Sequence, residues 1–185
     1  MKRLARTTAL IATLCLLFAA AAQASEPFPD LNISGTLTAD DKAYLGLAPE
    51  TESFALSDLE ADLIFVEVFS MYCPVCQRDV PVIEDLYYAV EDQGYRPGLA
   101  LLGIGAGNSQ YEVDFYKKKY GIRMPLFPDA DYVNHKKVGS VGTPFYLLLK
   151  KEADGTLTTL FVQEGGVQDK DAFIKKILKL AATAD

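Results

Sequence analysis

The apolar run Leu63-Ile-Phe-Val-Glu-Val-Phe69 leads within four residues into Cys73-Pro-Val-Cys76, and helical periodicity follows. A stretch broken only by Glu67 predicts a strand buried on both faces, which requires a sheet covered by helices on each side. A cysteine placed where strand gives way to helix meets unpaired backbone N–H groups and the positive end of the helix dipole. Both favour an anion, and the thiolate is the nucleophile in disulfide exchange. Cys73 is therefore the expected attacking thiol and Cys76 the resolving one.

The rest of the cysteine count sharpens this. The chain has three cysteines, and Cys15 lies in what reads as an export leader: basic Lys2, Arg3 and Arg6, apolar Leu10 to Ala22, then Ala22-Gln-Ala24. The apolar part is shorter than the ~20 residues a membrane helix needs. Residues 1–24 are thus expected to be a signal peptide, 25–53 an N-terminal extension, and 54–185 the main domain. The product would be soluble and periplasmic or otherwise extracytoplasmic. With Cys15 gone, the remaining thiols form one CxxC. A disulfide between Cys73 and Cys76 closes too short a loop to restrain the unfolded chain much, so the pair is read as chemistry rather than a staple. Losing the leader removes three positive charges and takes the formal charge from -7 to -10. That argues against nucleic acid and anionic membranes as partners.

Along the chain, Asn32 to Thr38 alternates like a short edge strand, and Asp40 to Leu47 fits a helical turn or a loop. The helix after the cysteines carries Val82, Leu86, Ala89 and Val90 on one side, with Pro81 inside it. Leu99 to Ile104 reads as a second buried strand. Gly103-Ile-Gly-Ala-Gly107 lacks the dinucleotide-binding spacing and reads as a strand end and turn. Ser109 to Tyr120 reads as a helix ended by Gly121, with Lys117 to Lys119 on a solvated face, and Met124 to Phe127 as a short strand. Phe145 to Leu149 and Leu157 to Val162 form a hairpin about Asp154-Gly155. Lys170 to Ala181 closes the chain as a helix with Phe173, Ile174, Ile177 and Leu178 inward. The order implies an α/β fold: a mixed central sheet flanked by helices on both faces.

With these elements in place the chain resembles the thioredoxin superfamily, most closely its exported TlpA-type thiol–disulfide oxidoreductases. The resemblance covers roughly residues 54–181. It rests on CPVC after a buried strand, on Pro81 eight residues beyond Cys73, and on Val138-Gly-Ser-Val-Gly-Thr-Pro144 before a strand. It implies a cis peptide at Pro144 facing the cysteines, and a Thr143 backbone that pairs with an extended substrate. Tyr72, standing where thioredoxins usually have Trp, joins the substrate side. Glu67 matches the buried acid beneath the disulfide, which can move the proton of Cys76. Asp79 stands where TlpA-type proteins often carry a glutamate. The Pro74-Val75 pair supplies no imidazole, so a potential less oxidising than about -120 mV is expected.

The resemblance implies no organic cofactor and no metal. Its implied partners are client proteins with exposed cysteines and a membrane-bound thiol electron donor, with reduction of clients the expected direction. The competing reading is a soft-metal module in which Cys73 and Cys76 hold Cu(I) and pass it on. It needs a third ligand, and His135, otherwise a polar loop residue, is the candidate by type. A peroxidase would want a Thr where this chain has Ser70.

Overall fold

A computed structural model describes residues 27–184. The expected signal segment and its cleavage point lie outside the described residues. The main sheet has five strands in the order β5-β4-β3-β6-β7. Its centre is β3 (Leu63–Phe69), paired parallel to β4 (Leu99–Ala106) and antiparallel to β6 (Phe145–Lys151). The edges are β5 (Leu126–Asp129), parallel to β4, and β7 (Leu157–Glu164), antiparallel to β6. Every residue of β3 is buried, as a strand with neighbours on both edges and helices on both faces must be.

Alternation along β3 divides the core in two. Phe65 and Phe69 face a cluster built with α2 (Pro74–Asp92), α3 (Gln110–Tyr120) and α5 (Lys170–Ala182). Ile64, Val66 and Val68 face the opposite cluster. That second face is closed by the ribbon of β1 (Asn32–Ser34) and β2 (Ser53–Ala55), by α1 (Ala39–Leu45), and by the segment around α4 (Val133–Lys137). Residues 27–53, to which the sequence assigned no role, put Leu31, Ile33 and Leu45 into this core. Among the described residues no helix is long and apolar enough to cross a membrane.

Several local expectations need correction. The alternating Asn32 segment does hold a short strand, but only over Asn32–Ser34 and paired with β2 in a separate two-stranded sheet. Asp40 to Leu47 resolves into a true helix, started by a reciprocal Thr38–Asp41 capping box and ended by Gly46 at φ 68. The inward stripe of α2 is Val80, Ile83, Leu86 and Val90, while Val82 and Ala89 are only partly buried. In α5, Ala181 is buried and Ile174 only partly so. Lys117 is not simply solvated: its Nζ lies 3.3 Å from Asp41 Oδ1.

The glycine-rich stretch is strand rather than turn as far as Ala106. A Cβ on Gly103 would come within 2.5 Å of Leu126 Cδ2, and one on Gly105 within 3.0 Å of Val113 Cγ2. The glycines therefore permit close packing of β5 and α3 against β4. Only Gly107, at φ 67, serves a turn.

The wholly buried Leu86 joins α2 to the sheet. Leu86→Ala is expected to destabilise the protein by about 2–5 kcal/mol, read as a lower urea midpoint with an unchanged m-value.

Candidate active site

The sheet brings three chain segments to one end. β3 and β4 both finish there, and the antiparallel β6 begins there. The loop after β3 carries Met71, Tyr72 and Cys73, the loop after β4 carries Asn108, and Thr143-Pro144 precedes β6.

Cys73 is the N-cap of α2, with extended backbone (φ -81, ψ 113) and Pro74 in the first helical turn. Proline suits that turn because it lacks an N–H that would otherwise go unpaired. The Cys76 N–H points at Cys73 Sγ across 3.3 Å. On the other side, the Cys73 thiol donates to the Thr143 carbonyl, also at 3.3 Å. The Thr143–Pro144 peptide is cis. Both cysteines are free thiols here, Cys73 half-buried and Cys76 wholly buried.

Depth separates the two thiols chemically. Partial burial pushes the Cys73 pKa up, but hydrogen bonds from the Cys76 side chain and backbone, from the Thr143 side chain and from the Val75 backbone outweigh it. The balance leaves Cys73 below an ordinary thiol. Burial pushes Cys76 far up, and its hydrogen bond to Cys73 and the nearby Glu67 carboxyl push the same way. One thiol ionises more readily than usual while the other holds its proton.

Beneath the pair lies a polar layer. Glu67 sits on the α2 side of β3, opposite Gly103 and Tyr146 in the neighbouring strands. Burial, then Asp79 and Cys73, raise its pKa to about 8. Asp79, almost fully buried, accepts from the Val167 N–H at 2.7 Å and the Tyr146 hydroxyl at 3.2 Å, and pairs with Arg78 Nε at 2.8 Å. The shorter side chain thus reaches three partners. It ties the β7–α5 loop to the start of α2. At Gly166 in that loop, a Cβ would come within 2.5 Å of Val75 Cγ1 and 2.9 Å of Asp79 Oδ2.

Two polar side chains that no sequence motif marks hold the cysteine loop. Asn108 Oδ1 accepts from the Met71 N–H at 2.8 Å, and Gln77 Nε2 donates to the Met71 carbonyl at 2.7 Å. The peptide groups flanking Met71 are held from two sides, two residues before Cys73. The partners lie 37 and 6 residues away, and no local pattern pairs them. Tyr72 is 65% exposed, its hydroxyl donating to the Glu112 carboxylate. His135 lies on α4, its Nε2 2.7 Å from the Val141 carbonyl. Among the described residues, no group of three His, Cys, Asp or Glu side chains is placed to hold a metal ion.

No protein-family model matches the chain. Among curated proteins it is similar to the thiol-disulfide oxidoreductase ResA of Halalkalibacterium halodurans, 30% identical over 80 residues that span 43% of each chain. It is also similar to ResA of Bacillus thuringiensis, 23% identical over 150 residues, or 74% of this chain and 82% of the relative. Among solved structures, a secreted Mycobacterium tuberculosis disulfide oxidoreductase homologous to E. coli DsbE superposes with a TM-score of 0.57. The match is 17% identical and covers 80% of this chain and 95% of that one.

The raised Glu67 pKa makes stability depend on pH. The carboxyl ionises near 4.5 in the ordinary case and near 8 when folded. Between those values the native state holds a proton that the unfolded state has released, so stability falls as pH rises from about 4.5 to about 8. The slope contributed is at most about 1.4 kcal/mol per pH unit. Urea unfolding of the reduced protein is expected to show this decline and Glu67→Gln to flatten it. An unchanged slope in the variant would mean that Glu67 ionises as it does in water.

Proposed function

Since this chain belongs to the thioredoxin superfamily, among the ResA- and TlpA-type thiol–disulfide oxidoreductases, we propose that it reduces disulfides of client proteins outside the cytoplasm. The observation that carries this is the contrast between a half-exposed Cys73 with a lowered pKa and a buried Cys76 that keeps its proton. That contrast suits a dithiol awaiting a disulfide.

The Cys73 thiolate attacks one sulfur of the client disulfide. A Cys73–client bond forms, the client S–S bond breaks, and the departing client sulfur takes a proton from solvent. Cys76 then gives up its proton and attacks Cys73 Sγ, forming the Cys73–Cys76 disulfide and releasing the second client sulfur, which is protonated in turn. Two electrons pass from the enzyme to the client. Glu67, with its pKa near 8, exchanges protons at neutral pH and is the acceptor proposed for the Cys76 proton. Asp79 raises the Glu67 pKa and joins Tyr146 to the same layer, so its proposed part is to tune that acceptor. Thr143 and Pro144 supply the backbone edge beside which the client segment lies, and Tyr72 flanks its path.

A membrane-bound thiol donor is the proposed source of electrons for the next cycle. The extracytoplasmic site is supported by the basic and apolar leader in the sequence. The copper reading is weakened by His135, whose ring nitrogen is engaged by the Val141 carbonyl.

Cys76→Ser is expected to accumulate a covalent complex with its client that is released by dithiothreitol. Cys73→Ser should accumulate none and should lose disulfide reduction by at least a hundredfold. Non-reducing gels with mass spectrometry, alongside insulin reduction, check both. Equal trapping by the two variants contradicts the assignment of Cys73 as attacking thiol.

A further inference from the structure

An exposed aromatic surface adjoins the reactive thiol. Tyr72 is 65% exposed, Tyr111 77% and Phe115 47%. Together with Met71, Ser109 and Glu112 they line one shallow depression. Tyr111 and Phe115 stand four residues apart on α3 and so share a face of that helix. Neighbouring Val113 and Tyr116 are buried, so the core of this helix is already supplied without them. Rings of this size left in water beside one another are characteristic of contact surfaces.

The depression is also held in place. Glu112 accepts from the Ser109 N–H at 2.7 Å and the Ser109 hydroxyl at 2.8 Å, closing the cap of α3. The same carboxylate accepts from the Tyr72 hydroxyl. Tyr72 is thereby fastened to α3, and the Met71 N–H to Asn108. Tyr72 therefore loses little side-chain freedom when a ligand contacts it.

Sheet order fixes where this surface lies relative to the chemistry. β6, preceded by Thr143, flanks β3 on one side, while β4, followed by α3, flanks it on the other. For a client segment beside Thr143 with its sulfur at Cys73 Sγ, Met71, Tyr72 and α3 lie on the side of β3 away from β6. In an extended segment, side chains alternate and advance about 3.3 Å per residue. The residue two positions from the client cysteine thus faces the enzyme with it, about 7 Å along. We propose that Tyr111 and Phe115, together with Tyr72, form a specificity platform for a client segment bearing an aromatic or long aliphatic side chain two residues from its reactive cysteine. This rests on the oxidoreductase reading above and adds the chemistry of the client to it.

The test uses disulfide-linked peptides of the forms X-Gly-Cys and Cys-Gly-X, with X as Phe, Leu, Ser or Asp, because either chain direction can present X to α3. Wild type is expected to reduce the Phe peptide of one form with a kcat/KM about tenfold above its Ser counterpart. Tyr111→Ser combined with Phe115→Ser should bring that ratio to within about twofold. The swap of Tyr111→Phe with Phe115→Tyr should keep it. So should Tyr88→Ser, which removes an exposed tyrosine of α2 that lies outside this surface. A wild type that reduces 5,5′-dithiobis(2-nitrobenzoate) but shows no preference among the peptides overturns the platform and leaves the oxidoreductase reading standing. A preference that survives the double serine variant overturns it too. A wild type inert toward every disulfide overturns the oxidoreductase reading and the platform with it.

Discussion

The backbone N–H of Cys76 directed at Cys73 Sγ, at the first turn of α2, is the contact on which the chemistry of this site turns. It exists because β3 delivers the chain, at the end of a fully buried strand, to a helix whose first N–H groups have no backbone partner. An anion at that point is favoured by hydrogen bonding and by the helix dipole together. Cys76, one helical turn further in, lies below the surface, where burial outweighs the backbone hydrogen bond at Ser70 that favours its anion. The same short segment therefore yields two thiols with opposite tendencies.

What lies below follows from strand alternation. Glu67 falls on the same face of β3 as Phe65 and Phe69, the face that α2 covers, so its carboxyl enters the core under the cysteines. A carboxyl there keeps its proton to a much higher pH than in water. Tyr146, opposite it in β6, reaches Asp79, and Asp79 in turn accepts the backbone N–H of Val167. Three strands or loops that are distant in sequence meet in one layer of polar groups. Removing one member leaves another buried and unpaired, and that is why such layers resist piecemeal change.

Much of this was legible in the sequence, and the part that was not has a common cause. The β3 strand was readable to its boundaries because a continuous apolar run has few alternatives. The thioredoxin-like order of elements was readable because Pro81 and Thr143-Pro144 stand at telling distances from the cysteines. The β4 strand reads as ending at Ile104 and runs on to Ala106, because Gly103 and Gly105 serve to admit Leu126 and Val113, residues that only the folded sheet brings near. Asn108 escaped notice for the same reason: its partner, the Met71 N–H, lies in another loop. In α3 aromatic residues occur on more than one side, so periodicity alone does not tell buried Tyr116 from exposed Tyr111 and Phe115.

Depth and hydrogen bonding divide the cysteine pair into one thiol that ionises more readily than usual and one that keeps its proton. The most direct measurement is the rate of iodoacetamide alkylation of each cysteine in the reduced protein as a function of pH, resolved by mass spectrometry of the separate peptides. Cys73 is expected to react with a midpoint below the ~8.5 of a free thiol, while Cys76 stays unmodified until well above it. Alkylation of Cys76 first, or of both cysteines together at the pH of an ordinary thiol, would contradict that division.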